Sequence, residues 1–128
     1  PFVRKLVEQN NHVVVLGDFN IAPEDRDIHD PVEWAGKILA SPKERAEFNT
    51  LLEHGLSDCF RLFEQEEMSF SWWDYRAAAF RRNRGLRIDH ILASNNLAAQ
   101  CTRCYMDKTP RKLERPSDHA PVVAEFDL

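Results

Sequence analysis

The sequence places three groups of carboxylate, amide and imidazole side chains beside short apolar runs. The first group is Asp18 with Asn20, the second is Asp89, and the third is Asp118 with His119. Carboxylate and amide oxygens suit a hard cation, and an imidazole can contact a phosphoryl oxygen. Taken together, the three groups indicate a metal-assisted site that acts on phosphate, although none of them is decisive alone.

The first two groups also have ordinary structural explanations. Asp18 and Asn20, spaced i and i+2 on an extended backbone, would point the same way and reach one ligand. Asp and Asn are also common in turns, and for this pair alone the turn is the preferred interpretation. Asp89 lies in an apolar segment, where an ionised carboxylate needs a partner. That partner is either Arg87 or another neighbour in a structural ion pair, or an imidazole whose tautomer Asp89 fixes.

Only one of the five histidines has chemically informative neighbours. His119 is flanked by Ser117, Asp118 and Pro121 and follows a basic loop. A lone histidine is most often a surface residue or a satisfied core residue. That interpretation applies to His12, His29, His54 and His90.

The three cysteines do not form a recognisable framework. Cys59, Cys101 and Cys104 are odd in number, which argues against a secreted domain held by disulfides. The CxxC spacing at 101–104 has no second pair to complete a zinc site. We interpret all three as free thiols of a cytosolic protein.

The net charge of −4 hides a division along the chain. Residues 1–67 hold seven Lys/Arg and 14 Asp/Glu, whereas residues 68–128 hold ten and seven. The positive charges of the second half fall into two groups along the sequence. They are Arg76, Arg81, Arg82, Arg84 and Arg87, and then Arg103, Lys108, Arg111, Lys112 and Arg115. Such a group is either a solvated face or a surface that contacts phosphates.

The elements that must position these groups follow from periodicity and turn signals. We predict helices at 2–9, 32–40 and 42–54, with Ser41 as the N-cap, Glu44 completing a capping box and Gly55 ending the last helix. We predict strands at 13–16, 69–75, 86–93, 97–106 and 121–126, the first buried on both faces. The order fits an α/β (α+β) chain with one sheet covered by helices on one face.

Three segments resemble the signature blocks of the exonuclease III branch of the endonuclease/exonuclease/phosphatase superfamily. They are GDFN at 17–20, NRGLRID at 83–89 and SDHAP at 117–121, and the similarity covers essentially all 128 residues. The first and last blocks are general to the superfamily. The middle block, with FSWWDYR at 70–76 before it, points to apurinic/apyrimidinic (AP) endonucleases.

The resemblance implies catalytic roles. Asp18 would orient or deprotonate the attacking water, and Asn20 would help to hold water or phosphate. His119 would contact a non-bridging phosphate oxygen, Asp89 would hold His119, and Asp118 would assist near the metal. The implied metal is Mg²⁺, with Mn²⁺ as a substitute, and its expected ligands are Asp18, Asn20, Asp118 and His119.

The resemblance also implies a DNA-contacting set: Trp72, Arg76, Arg84, Leu86, Arg87 and Ile88. Trp72, Leu86 and Ile88 would line a small apolar pocket for a flipped-out abasic sugar, from which an intact base is excluded by size. Without the resemblance, Trp72 is equally well interpreted as a core aromatic. Arg76 would lie near the groove beside the lesion.

The family fold is a four-layer α/β sandwich, of which residues 1–128 correspond to the C-terminal half, with one mainly antiparallel or mixed sheet. The N-terminal half, with its Asn, its metal-binding Glu and a Tyr at the phosphate, has no counterpart here. We therefore expect an exposed apolar sheet face, covered by the absent half or by a second copy of the chain.

The function implied is that of a cytoplasmic, nucleoid-associated DNA-repair nuclease. Its partner would be double-stranded DNA with abasic sites or 3′ ends. No apolar run in the sequence reaches membrane-spanning length, so no membrane partner is expected. Two alternatives stay open: a phosphatase acting on small phosphorylated substrates, and a non-catalytic fragment that binds DNA.

Overall fold

The computed structural model describes residues 2–37 and 39–128. The helices are α1 (Phe2–Gln9), α2 (Pro31–Trp34), α3 (Pro42–Glu53) and α4 (Asn95–Ala98). The strands are β1 (Val14–Asp18), β2 (Leu56–Asp58), β3 (Trp72–Trp73), β4 (Gly85–Leu86), β5 (Asp89–Ser94), β6 (Cys101–Met106) and β7 (Val122–Phe126). Short 3₁₀ turns occur at Asp25–Asp27, Cys59–Leu62, Arg76–Ala78 and Thr109–Lys112. Among the described residues, no helix is both long and apolar enough to cross a membrane.

The strands form four antiparallel ladders in three separate sheets, so the prediction of a single sheet is wrong in detail while the α/β (α+β) class is confirmed. Strand β5 is the centre of a three-stranded sheet ordered β1-β5-β2, and β3–β4 and β6–β7 form two separate pairs. The predicted strand at 86–93 is split because Arg87 and Ile88 leave the ladder. The backbone N–H of Arg87 donates to Asp27, and that of Ile88 donates to the Ser71 hydroxyl.

The predicted strand at 97–106 begins later than expected. Its first residues lie in α4, whose Leu97 and Ala98 are buried in the core, and the strand itself starts at Cys101. Strand β3 is shorter than predicted and pairs with β4 at very close range. A Cβ atom on Gly85 would lie 2.6 Å from the Trp72 carbonyl oxygen, so only glycine fits at this position.

Helix α3 begins at the predicted N-cap and ends before the predicted glycine, but the predicted capping box does not form, because the Glu44 carboxylate accepts from the Leu39 N–H and the Ser41 hydroxyl and not from the Ser41 N–H. The Ser41 side chain accepts from the Glu44 N–H at 3.2 Å, and Glu44 turns back to accept from the Ser41 hydroxyl at 2.9 Å. At the other end Gly55 has φ +95°, a conformation that favours glycine. The helix buries Phe48 against the sheet, which anchors one covered face.

The two faces of the three-stranded sheet are covered differently. On one face Leu56, Leu92 and Val15 pack with residues of α1 and α3. On the other face Ile91 and Ala93 pack with the β6–β7 pair and with the turn at Cys59–Leu62. Because side chains alternate along β5, this strand contributes residues to two hydrophobic cores, one on each face of the sheet.

Strand β1 lies at an edge of this sheet, and the prediction that it is buried on both faces is wrong. Val14 is 40% exposed and Leu16 is 64% exposed. The strand pairs only with β5, and the β6–β7 pair does not extend over these two side chains. The expected exposed apolar face is therefore found only in part: its β1 portion is uncovered, whereas Ile91 and Ala93 on the same face are buried.

Candidate functional site

The site forms where β1 ends and β5 begins. These strands are antiparallel, and their register places Asp18 directly opposite Asp89. Two carboxylates in this relation repel each other unless a cation or a donor lies between them. His119 meets that need, because a β-bridge to Trp72 brings its segment to the same end of the sheet.

His119 stands between the two carboxylates. Its Nδ1 lies 2.9 Å from Oδ2 of Asp89, and its Nε2 lies 3.6 Å from Oδ2 of Asp18 and 3.8 Å from Oδ1 of Asp118. Of the two interpretations of Asp89, the structure therefore has the hydrogen bond to an imidazole and not the ion pair with Arg87. The tautomer that donates from Nδ1 leaves Nε2 facing Asp18.

The surroundings change the proton affinity of both members of this pair. Burial lowers the pKa of His119, but the hydrogen bond and charge of Asp89, with the charges of Asp18 and Asp118, outweigh burial and raise it above its ordinary value. Burial raises the pKa of Asp89, and hydrogen bonds from His119 and Ser71 oppose that rise in part. A raised pKa favours the imidazolium form of His119, which carries a donor on each ring nitrogen.

The segment that carries His119 is held by β3 and its flanking residues. The N–H of Trp73 donates to the Asp118 carbonyl oxygen at 3.0 Å, and the N–H of Ala120 donates to the Ser71 carbonyl oxygen at 2.8 Å. The indole Nε1 of Trp72 donates to Oδ2 of Asp118 at 3.0 Å. The carboxylate of Asp118 is therefore already hydrogen-bonded to the side chain of Trp72.

The Asp18–Asn20 pair forms a turn. The N–H of Asn20 donates to Oδ1 of Asp18 at 2.9 Å, and Asn20 has φ +54°. The turn, which was the preferred interpretation of this pair alone, is confirmed, and the alternative of two side chains pointing the same way from an extended backbone is wrong because the chain leaves the strand at Asp18. The turn nevertheless holds the Asp18 carboxylate, which is 38% exposed, beside His119.

Three side chains could share a cation here. Ligand atoms of Asp18, Asp89 and His119 lie within 4.8 Å of one another. Asp89 thus joins the predicted ligands Asp18 and His119, whereas the carboxylate of Asp118 is turned toward Trp72; a ligand role for Asn20 stays a prediction. The carboxylate oxygens fit a hard cation, but the set falls short of the six oxygens that Mg²⁺ prefers.

The site opens into a groove with largely apolar walls. Asp18, Asp89 and His119 lie along one side of it. The apolar lining comes from Leu16, Ile91, Pro110, Pro121 and Val122. The uncovered face of β1 is therefore continuous with the polar site.

Three residues of the predicted DNA-contacting set are buried, and these assignments are corrected. Leu86 is 0% exposed and Ile88 is 2% exposed, and both pack with Ala22 and Ile28 in a closed core, so neither lines an accessible pocket. Arg87 is 0% exposed. Its side chain points into the protein, where it forms ion pairs with two carboxylates.

Arg87 is held by two aspartates, Asp27, which is buried, and Asp58, which is partly buried. Its Nε lies 2.7 Å from Oδ1 of Asp27, and its second terminal nitrogen lies 2.7 Å from Oδ2 of Asp58. Its other terminal nitrogen lies 3.2 Å from Nδ1 of His90, whose Nε2 lies 2.7 Å from the Ile21 carbonyl oxygen. This network was missed from the sequence, although an arginine inside the apolar segment that flagged Asp89 was a usable signal.

The remaining predicted DNA contacts lie at the surface. Trp72, Arg76 and Arg84 line a shallow depression together with His29 and Trp34. Arg76 pairs with Asp74 at 3.0 Å, and Arg84 lies 3.8 Å from Glu33. Both arginines are accessible to a ligand, and their contact with DNA stays a prediction.

Comparisons with known proteins agree with this architecture. Residues 2–119 match the model of the Endonuclease/Exonuclease/phosphatase family. The chain belongs to this family.

Relatives within it include exodeoxyribonuclease III of Haemophilus influenzae, 42% identical over 98% of this chain and 49% of that protein. Among solved structures, the 3′ phosphatase NExo from Neisseria bound to product DNA hairpin is 50% identical with a TM-score of 0.96, over 99% of this chain and 49% of that one. An AP endonuclease from Archaeoglobus fulgidus is 36% identical with a TM-score of 0.89, over 99% of this chain and 51% of that one. The chain thus spans about half the length of the relatives it matches.

Proposed function

We propose that the protein containing this chain is a metal-dependent DNA-repair nuclease that hydrolyses phosphodiesters at abasic sites and trims 3′ ends. The observation that carries the proposal is the row Asp18, His119, Asp89 at the edge of an open groove. Its relatives named exodeoxyribonuclease III and AP endonuclease support the same reaction class. Double-stranded DNA is the proposed partner, and the cytoplasm, at the nucleoid, is the proposed location.

The roles of the three side chains follow from their order. Asp89 accepts from Nδ1 of His119, which fixes the ring and leaves the Nε2 donor free for a phosphate oxygen. A fixed donor at the place where negative charge develops lowers the barrier to hydrolysis. Asp18 has an exposed carboxylate on the other side of the ring and can take a proton from the attacking water.

The cation that we propose for the site is Mg²⁺, with Mn²⁺ as a substitute. Asp18 and Asp89 are the residues of this chain whose oxygens would hold it, next to His119. The metal would neutralise charge on the phosphate and act as a Lewis acid. Because this chain offers so few oxygen ligands, we propose that the remaining ones come from the part of the protein outside it.

The same part of the protein would cover the apolar groove. Leu16 and Val14 present exposed apolar surface beside the site, which is typical of an interface. We propose that the other half of a two-sheet fold occupies this face, and that a second copy of the chain does so when that half is absent. The isolated chain is then expected to be weakly active or inactive.

The test is reconstitution. The chain is mixed with the unmatched half of the Haemophilus influenzae exodeoxyribonuclease III, and cleavage of a duplex with one abasic site is followed in Mg²⁺. We expect Asp18→Asn and His119→Gln to lower cleavage by about 10²-fold or more, the range for lost proton-transfer and charge-stabilising groups. The control is Asp127→Asn, which changes an exposed carboxylate that is not one of the site residues. Normal cleavage by His119→Gln would overturn the assignment.

Removal of a 3′ phosphate is a second candidate reaction. The Neisseria neighbour is a 3′ phosphatase seen with product DNA hairpin, and the row of side chains here suits a terminal phosphate equally well. Comparing duplexes with an internal abasic site, a 3′ phosphate and a small inositol phosphate separates the nuclease, the DNA phosphatase and the small-molecule phosphatase. Calorimetry with Mg²⁺ tests the non-catalytic alternative, which predicts no heat of binding at millimolar metal even after reconstitution.

A further inference from the structure

His90 is a buried histidine that contacts both the ion pairs of Arg87 and the loop after β1. It is 1% exposed and follows Asp89 in β5. Side chains alternate along a strand, so the two point to opposite faces of the sheet. The His90 ring lies on the face covered by α3, with its centroid 4.8 Å from that of the Phe48 ring. It therefore lies behind the site and not in it.

The two polar contacts of the ring define its tautomer. Nδ1 lies 3.2 Å from a terminal nitrogen of Arg87, and Nε2 lies 2.7 Å from the Ile21 carbonyl oxygen. A guanidinium has no acceptor, so Nδ1 must accept, and a carbonyl has no donor, so Nε2 must donate. The ring is therefore neutral and carries its proton on Nε2.

The guanidinium of Arg87 is itself held in one orientation. Its Nε lies 2.7 Å from Asp27 and one terminal nitrogen lies 2.7 Å from Asp58, while the nitrogen that faces His90 also donates to Asp58 at 3.1 Å. A planar guanidinium held at these atoms cannot rotate. An imidazole turned over by 180° would present carbon atoms to both of its partners. The ion pairs thus select one orientation of the His90 ring as well as one tautomer.

The peptide unit between Ile21 and Ala22 is held at both edges. Its carbonyl oxygen accepts from His90, and its N–H donates to the Leu39 carbonyl oxygen at 2.7 Å. A peptide unit is planar, so partners at its two edges fix its orientation. His90 supplies the edge that faces the sheet.

This peptide unit directly follows the turn that holds Asp18. Asn20 has φ +54°, and its N–H donates to Oδ1 of Asp18 at 2.9 Å. A residue other than glycine keeps a left-handed conformation when the surrounding contacts require it. Release of the Ile21 carbonyl oxygen would let Asn20 relax, and the hydrogen bond that fixes the Asp18 carboxylate would be lost.

We propose that His90 is a positioning residue, which transmits the fixed orientation of Arg87 to the Asp18 turn through the Ile21 carbonyl oxygen. The inference rests on the proposed role of Asp18, and His90 itself touches neither substrate nor metal. A histidine that only filled the core would affect the unfolding free energy but not the turn in the folded chain. The two roles are separated by measurements that need no substrate.

The first test uses the unaltered chain. Long-range ¹H–¹⁵N correlation NMR of the labelled chain identifies the protonated ring nitrogen of His90, whose signals are assigned through its side-chain carbons. We expect the proton on Nε2. A proton on Nδ1 would overturn the proposal, because the Ile21 carbonyl oxygen would then have no donor on the ring.

The second test is a matched pair of variants that each keep one of the two contacts. In His90→Gln the side-chain amide reaches the place of Nε2 and can donate to Ile21, whereas the shorter side chain of His90→Asn can only accept from Arg87. Water-exchange NMR then follows the N–H of Asn20. We expect it to exchange about tenfold faster in His90→Asn, as for the loss of one hydrogen bond, and at the parental rate in His90→Gln.

Urea unfolding separates these rates from stability. Both variants should lower the unfolding free energy, because each loses a buried hydrogen bond, but only His90→Asn should affect the Asn20 N–H. Equal exchange rates in the two variants would overturn the proposal. Should neither variant fold, the tautomer decides: Nε2 supports the proposal and Nδ1 overturns it.

The reconstituted nuclease gives an independent readout. His90→Asn should lower kcat by about tenfold or more with little change in KM, because Asp18 is misplaced, and His90→Gln should keep the parental kcat. Absence of nuclease activity in the reconstituted parent would remove the proposed function but leave the tautomer and exchange measurements valid. The two failures are therefore distinguishable.

Discussion

Nδ1 of His119 lies 2.9 Å from Oδ2 of Asp89, across 30 residues of sequence. The bond joins the start of a central strand to a segment that returns from the far end of the chain. It fixes the ring and, through the charge of Asp89, raises the pKa of the imidazole. The site therefore depends on a contact that no local feature of either segment enforces.

Replacing Asp89 by Asn should lower the pKa of His119. The neutral amide can still accept a hydrogen bond but no longer favours the imidazolium, so that only the charges of Asp18 and Asp118 still oppose burial, which lowers the pKa. An NMR titration of the His119 Cε1 proton measures the change. Asp127→Asn should leave the titration unaltered, and an unchanged pKa in Asp89→Asn would show that Asp89 does not control the ring.

Arg87→Met should destabilise the fold by up to about 3 kcal/mol, because it leaves the partly buried Asp58 without this cation and leaves the buried Asp27 paired with Arg61 alone. Urea unfolding followed by fluorescence measures the loss. The control is Arg4→Met, which breaks an exposed pair with Glu8 and should cost no more than about 0.5 kcal/mol. Equal effects of the two changes would contradict the assignment of Arg87 to the core.

Arg76→Ala and Arg84→Ala should act on DNA binding and not on the fold. Each removes an accessible guanidinium, so the slope of log K against log salt should become shallower by about one per residue contacting a phosphate. Titration of a labelled duplex over a range of salt, in the reconstituted protein, measures the slope. An unchanged slope with unchanged Tm would show that these arginines face solvent when DNA is bound.

Acidification from about pH 6.5 to about pH 4 should destabilise the chain through His90. Burial, with the charge of Arg87, lowers the pKa of this histidine to about 4. The pKa of a histidine in the unfolded chain is about 6.5, so the unfolded state binds more protons than the folded state between about pH 4 and 6.5. The unfolding free energy therefore decreases as the pH is lowered, by up to about 3 kcal/mol. Urea unfolding at several pH values should show a smaller decline in His90→Gln. His12→Gln, an exposed histidine, should keep the parental decline.

Leu16→Asp should weaken association without weakening the fold. The side chain is 64% exposed in the chain, so its replacement should change the unfolding free energy by only about 0.5 kcal/mol. Sedimentation should show a loss of binding to the unmatched half of the relative, or of self-association in its absence. Val32→Asp, at an 88% exposed position on α2, should associate normally. Unimpaired association of Leu16→Asp would place the interface elsewhere.

The sequence alone determined the features that depend on neighbouring residues. The N-cap at Ser41, the glycine that ends α3 and the α/β (α+β) class follow from local chemistry and short-range periodicity. The polar groups at Asp18 and Asp89 were also evident, because one follows and the other interrupts an apolar run, and His119 was evident from its polar neighbours. Local patterns suffice wherever the interacting groups are a few residues apart.

The tertiary structure decided which of these residues meet. Arg87 and Asp89 are two residues apart, yet the first is buried between aspartates and the second reaches His119, because the chain leaves one ladder and enters another between them. The inward orientation of Leu86 and Ile88 depends on the same break. These side-chain orientations are set by partners that are distant in the sequence. The alternation of residues along a strand predicts which side chains share a face of the sheet, but it does not predict which element packs on that face.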